Sequence, residues 1–308
     1  MPSAFARIGS RGSPLALAQA RAVRDRMAVA HNVAPDAIEI RVIRTSGDAV
    51  QDRPLAEVGG KGLFTKEIEE ALLRNEVDLA VHSAKDMATQ LPPGLAIAAC
   101  LPREDPRDTF VSRVARTLAE LPPGARVGTG SLRRTALLRR LRNDLVIVPM
   151  RGNVETRLRK LGEGEADATI LALAGLRRLG LEDAATMILD VEAFPPAVGQ
   201  GVIAIEARAD DDQSRALVEA INDADAAIAL SAERAFLAVL DGSCKTPIAG
   251  HAQLAVGNVR FSGLIVKPDG SAAFAVSRTG PARNAAMLGA DAGRELRAKA
   301  GGDFFVVP

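Results

Sequence analysis

The sequence predicts an α/β fold of two related lobes followed by a smaller α+β domain, and three observations carry that expectation. Over the first two-thirds of the chain, short apolar strand-like runs alternate with longer helical patterns, the signature of parallel sheets with helical crossovers. Two segments, "RIGSRGSPLALAQARAV" (7–23) and "RVGTGSLRRTALLRRL" (126–141), follow one local plan, a short strand end running through a Gly/Ser/Thr turn into a helix. Beyond "ADDDQSRA" (209–216) the pattern changes to a helix, a loop, alternating strands around the turn "KPDGS" (267–271) and a final Ala-rich helix.

The strand candidates are "IEIRVI" (38–43), "LAVH" (79–82), "LAIAAC" (95–100), "DLVIV" (144–148), "ATILAL" (168–173) and "VIAIEA" (202–207). Helical periodicity is clear in "TKEIEEALLRN" (65–75), where Ile68, Ala71 and Leu72 share a face and Glu67, Glu69 and Glu70 sit near the positive end of the helix dipole. In the two echoing segments the turn leaves backbone N–H groups and hydroxyls at a helix N-terminus, a natural binding point for a carboxylate or phosphate. Pro14 suits an early helical position. The proline-bearing segments "LPREDPRDTFV" (101–111) and "VEAFPPAVGQG" (191–201) read as the crossings between lobes, able to act as hinges.

Composition narrows the function classes. At 308 residues the chain exceeds a single core and fits two or three domains, and 47% hydrophobic with 25% charged residues is ordinary for a folded globular protein. No apolar run approaches the roughly 18 residues that span a bilayer, and the start shows no apolar core ahead of a cleavage site, so a cytoplasmic protein without membrane partners is expected. Lys and Arg total 39 against 38 Asp and Glu, which leaves no global field to draw the chain onto nucleic acid. With no Trp or Tyr, stacking platforms for nucleic acid are scarce too. Cys100 and Cys244 give no disulfide framework, and their spacing to His31, His82 and His251 matches no zinc signature, so no metal site is expected.

Cationic residues recur at strand-to-helix turns: Arg11, Lys61, Lys85, Arg133, Arg134, Arg151 and Arg157. At the C-terminal edges of parallel strands such groups converge on the crevice where α/β ligands bind, although solvated surface charge is an equal reading for any one of them. "VHSAKDM" (81–87) ends an apolar strand with His82, Ser83, Lys85 and Asp86. Asp86 is either a carboxylate that stabilises a cationic intermediate or a helix cap paired with Lys85, and His82 reads as a packed, hydrogen-bonded histidine. The glycines of "VGGKGLF" (58–64) fit a loop able to cover a cleft. Cys100 ends an apolar strand as a small buried hydrophobe, whereas Cys244 lies in the turn "DGSCKTPI" (241–248), either as filler or as a reactive group beside Lys245.

Ten segments in order resemble the porphobilinogen deaminase family: "SRGSPLALAQA", "VGGKGLFTKEIE", "DLAVHSAKDM", "REDPRD", "GTGSLRR", "RGNVETRL", "LAGLRRLGL", "PAVGQG", "AERAFL" and "GSCKTPI". The resemblance covers nearly the whole chain and implies two lobes like those of periplasmic binding proteins, residues 1–101 with 202–219 and residues 107–195, plus a small α+β domain over 224–308. It implies a transferase that deaminates four porphobilinogen molecules and joins them head to tail into hydroxymethylbilane, releasing ammonia. A dipyrromethane cofactor would be held by a thioether to Cys244, and Asp86 would be the catalytic carboxylate. Arg11, Ser13, Lys61, Ser83, Lys85, Thr129, Ser131, Arg133, Arg134, Arg151, Arg157, Arg178 and Gln200 would bind cofactor or substrate. A monomer that hands its product to uroporphyrinogen-III synthase completes the expectation. The chain departs from the family's commoner pattern at Glu57, Ala88, Gly130, Ser243 and Lys245. Two other readings of the same residues are an anion-binding module and a cysteine-dependent hydrolase, the latter requiring a base near Cys244.

Overall fold

The computed structural model describes residues 4–49, 62–240, 246–301 and 304–305. Among these the strands are β1 (Ala6–Ser10), β2 (Ile38–Val42), β3 (Leu79–Ser83), β4 (Leu95–Cys100), β5 (Asp108–Ser112), β6 (Arg126–Gly128), β7 (Val146–Val148), β8 (Ala168–Ala172), β9 (Met187–Ile188), β10 (Ile203–Arg208), β11 (Ile248–Ala255), β12 (Asn258–Val266) and β13 (Ala273–Pro281). The chain divides into two compact units, one built from residues up to 104 and 202–227, the other from 105–201 and 228 onward.

The first unit carries the sheet β2-β1-β3-β10-β4. Because strand side chains alternate faces, Leu79 and Val81 of β3 and Ile203 and Ile205 of β10 point one way, into a core completed by Ala20, Val23 and Met27 of the helix Pro14–His31. Ala80 points the other way and packs with Ile68, Ala71 and Leu72 of the helix Lys66–Leu73. The predicted apolar stripe of that second helix is therefore the stripe that is buried.

In the second unit the sheet β7-β6-β8-β5-β9 repeats the plan, with β6, β7 and β8 standing where β1, β2 and β3 stand. Both sheets are mixed rather than parallel as the alternation predicted. β10 runs antiparallel to β3 and β4, and β5 antiparallel to β8 and β9. The physical reason is connection: each of these two strands follows a proline-bearing segment rather than the helical crossover that most often joins parallel neighbours. β5 also lies inside a segment read as wholly extended linker, since "DTFV" has no long apolar run. β9 is two residues long and carries no sequence signal of its own.

The C-terminal part of the second unit is the antiparallel meander β11-β12-β13. β12 alternates buried and exposed positions, and Val259, Phe261 and Ile265 from its inner face pack with Phe236 and Leu296 of the helices Ala224–Val239 and Ala285–Ala300. Those helices approach so closely at Gly289 that a Cβ there would sit 1.9 Å from the carbonyl oxygen of Ala232. Gly289→Ala must therefore drive the helices apart, and a loss of about 3 kcal/mol, near the upper end for overpacking, is expected as a lowered thermal midpoint. An unchanged midpoint would contradict this packing.

Candidate functional site

Within the first unit, the turn after β1 places Arg11 and Ser13 at the start of the helix Pro14–His31. The Ser13 hydroxyl oxygen accepts from the N–H of Ala16 at 3.3 Å, capping the helix and leaving its O–H free to donate. β3 ends at Ser83 and passes into the short 3-10 turn Ala84–Asp86, which sets Lys85 and Asp86 beyond the strand edge. Arg11, Ser13, Phe64, His82, Ser83 and Asp86 line one pocket. Asp86 is half-buried there and has no hydrogen-bond partner among the described residues. Arg11 lies 4.2 Å over the ring of Phe64. Ser83 exchanges hydrogen bonds with Gln19, whose Nε2 donates to the serine oxygen at 2.8 Å.

In the second unit the corresponding turn after β6 repeats the device. Ser131 caps the helix Leu132–Leu141 by accepting from the N–H of Arg134 at 3.4 Å, and Thr129 Oγ1 accepts from the N–H of Ser131 at 3.2 Å. Arg133 and Arg134 follow in the first turn of that helix, both buried, and both reach Asp108 at the start of β5. Asp108 Oδ2 accepts from Arg133 Nη2 at 2.6 Å and Arg134 Nε at 3.2 Å; Oδ1 accepts from Arg134 Nη2 and Gln200 Nε2, each at 2.7 Å. Arg134 Nη1 donates to the Ile170 carbonyl and Arg133 Nη1 to that of Pro195. Burial alone would push the Asp108 carboxyl up, but the two guanidinium charges and their hydrogen bonds outweigh it and hold the group well below the usual carboxylate range.

This cluster contains two guanidinium groups and one carboxylate, a residual charge of about +1 in a site with little water. Arg133 Nε is buried without a partner among the described residues, and the same holds for both terminal nitrogens of Arg151. Buried unpaired guanidinium donors are costly in isolation, so this donor set fits a ligand bearing carboxylates. Arg157 Nε donates to Gly152 O at 3.0 Å and Arg178 Nη2 to Gly201 O at 2.6 Å, both in this unit.

The site residues thus fall into two groups, each in its own unit: Arg11, Ser13, Ser83, Lys85 and Asp86 in the first; Thr129, Ser131, Arg133, Arg134, Arg151, Arg157, Arg178 and Gln200 in the second. Lys61 and Cys244 lie outside the described residues. Sequence reasoning passed over Asp108, although "SLRR" at a capped helix start places two adjacent cations that need a counter-charge. It also passed over Gln19, a polar residue on an otherwise apolar buried helix face, and Phe64. Among the described residues no three His, Cys, Asp or Glu side chains cluster as a metal site, and no helix is long and apolar enough to cross a membrane.

The family model for the porphobilinogen deaminase dipyrromethane cofactor binding domain matches residues 6–216, and that for the porphobilinogen deaminase C-terminal domain matches residues 227–298. A porphobilinogen deaminase of Nitrobacter hamburgensis is 61% identical over 303 residues, covering 98% of this chain and 96% of the relative. One from Paracoccus denitrificans is 56% identical over 299 residues, covering 97% and 96%. Among solved structures, a methionine-binding lipoprotein of Bacillus subtilis overlays 71% of this chain and 90% of its own at 15% identity and a TM-score of 0.41.

Replacing Asp108 by Asn leaves two buried guanidinium groups without a counter-charge, and a loss of about 3–5 kcal/mol is expected, roughly 10 °C in the thermal midpoint. Because the folded-state carboxyl is depressed, its contribution is full above the ordinary Asp value of 3.8 and is lost only as pH falls below it. The gap between wild type and Asp108→Asn should therefore be constant from pH 5 to 8 and narrow in stronger acid. A midpoint lowered by less than 2 °C at pH 7 would refute the role given to Asp108.

Proposed function

We infer, because this chain belongs to the porphobilinogen deaminase family, that it deaminates porphobilinogen and polymerises four molecules head to tail into hydroxymethylbilane. The observation that carries the reading in this structure is the pocket of the first unit, which Asp86, without a hydrogen-bond partner among the described residues, lines together with Arg11 and Ser13. Porphobilinogen presents an aminomethyl pyrrole together with acetate and propionate groups. A pocket with one carboxylate, one guanidinium and a free hydroxyl donor matches both halves of such a molecule.

Asp86 supplies the electrostatic term. As the C–N bond breaks and ammonia leaves, positive charge develops on the pyrrole nitrogen, and a half-buried carboxylate stabilises that charge more than water does. Arg11, Ser13, Lys61, Ser83 and Lys85 hold substrate carboxylates in the first unit. In the second, Thr129, Ser131, Arg151, Arg157, Arg178 and Gln200 hold further carboxylates, together with the excess positive charge that Arg133 and Arg134 carry around Asp108. This accounts for strong local cations in a chain of net charge +1. The dipyrromethane cofactor, joined to Cys244 through a thioether, supplies the pyrrole position onto which units are added. The anion-binding module and the cysteine hydrolase give way to the family assignment.

The same reading keeps the division into 1–101 with 202–219, 107–195 and 224–308, a monomer, a cytoplasmic location and hand-off of product to uroporphyrinogen-III synthase. Intact mass spectrometry of protein expressed with porphobilinogen available should show a covalent dipyrrole that survives denaturation and is absent from Cys244→Ser. Asp86→Asn should retain the adduct and the fold yet lose turnover roughly 100-fold or more. An unmodified wild-type Cys244, or near-normal turnover by Asp86→Asn, would sink these assignments.

A further inference from the structure

His82 and Glu206 are buried ionisable groups to which the reading above gives no task. His82 pairs across the sheet with Ala204, and Glu206 with Ala80, so both side chains leave the sheet on the face opposite Val81 and Ile205, toward the helix Lys66–Leu73. His82 Nε2 lies 3.2 Å from Glu206 Oε2, with side-chain exposures of 3% and 0%. Among the described residues, neither that nitrogen nor either Glu206 oxygen has a well-directed hydrogen bond. A strand position filled by glutamate in the middle of an apolar core is costly, and nothing about the packing of β10 requires it.

The helix above adds Glu69, also buried, with an unpartnered Oε1. Burial raises its carboxyl above the ordinary range, with Glu206 adding to the effect and Thr65 and His82 opposing it. The cations nearby are committed elsewhere: Arg208 donates to Leu72 O, Val77 O and Asp211, Arg7 pairs with Asp78, and Lys66 reaches Glu70 at the surface. From the helix Pro14–His31 the residue facing this end of β3 is the uncharged Gln19. Two interior carboxyl groups therefore face one imidazole. It is not sealed from the chemistry, because His82 lines the same pocket as Asp86 and Arg11.

We propose that the His82–Glu206 pair, backed by Glu69, is the proton acceptor serving the pocket in which Asp86 stabilises developing charge. The proposal rests on the deaminase reading. Each addition breaks the bond between the methylene carbon and the protonated amine, whose electron pair leaves with ammonia. The methylene carbon then bonds to the free ring carbon of the acceptor pyrrole, and that carbon must release its hydrogen as a proton. His82 takes this proton on an imidazole nitrogen, Glu206 offsets the charge, and the proton passes to water or to the departing ammonia before the next round. No oxidant or reductant is involved. Asp86 is thereby left to its electrostatic role.

The test uses the holoenzyme and two readouts. For turnover of porphobilinogen, His82→Gln should lower kcat roughly 100-fold, the usual scale for a positioned proton acceptor. Glu206→Gln should lower kcat, because it removes the carboxylate that offsets charge on the protonated imidazole. Glu206→Asp, which keeps the charge, should restore part of the loss and serves where the Gln variant fails to fold. Without substrate, nitrogen-15 NMR resolves the imidazoles of His31, His82 and His251. Glu206→Gln should shift His82 and leave the other two in place. A His82→Gln enzyme within about twofold of wild type, or unmoved His82 resonances, would overturn the proposal. Failure of the wild type itself to consume porphobilinogen would instead count against the deaminase reading.

Discussion

The second unit is organised around one carboxylate. Asp108 sits at the start of β5, fully buried, and receives donors from the helix that begins at Leu132 and from Gln200. Desolvating an aspartate is costly, and only the combined attraction of Arg133 and Arg134 makes it affordable. The consequence reaches beyond stability. Because two cations are needed to bury one anion, the cluster keeps a net positive charge, and its location at a capped helix N-terminus adds to the same field. A site that attracts carboxylates thus follows from the way β5 is held in the sheet.

The first unit solves its electrostatic problem in the opposite sense. Its buried ionisable groups, Glu206 and Glu69, are acidic residues facing a single imidazole, while Asp86 stands half-exposed just beyond the end of the strand that carries His82. The two units therefore share a topology and a serine cap, at Ser13 and Ser131, yet differ in the sign of what they bury. On the proposed function, the first unit stabilises positive charge and the second holds anions. A reaction that eliminates ammonia from a polycarboxylate substrate requires both.

Much of this architecture was legible in the residues. The alternation of runs located β2, β3, β4, β7, β8 and β10, and the echo between 7–23 and 126–141 identified the two capped helix starts that carry Ser13 and Ser131. Strand direction was not legible, because whether β5 and β10 pair parallel or antiparallel depends on the connection that precedes each, not on its own side chains. The partners of Arg133 and Arg134 were hidden for a related reason. Asp108 is 25 and 26 residues away in the chain, in a segment that reads as linker, so no local periodicity joins them. His82 was expected to be packed and hydrogen-bonded; it is packed, but its neighbour is a buried carboxylate 124 residues away whose geometry is not that of a directed hydrogen bond.

Native-state hydrogen exchange on the Asp108→Asn protein tests most directly whether this carboxylate organises the anion-holding site. Backbone amides of 128–134 and 196–201 should exchange faster than in wild type, while those of the β11-β12-β13 meander keep their protection. Wild-type exchange at 128–134 and 196–201, or an equal loss across the meander, would contradict the account.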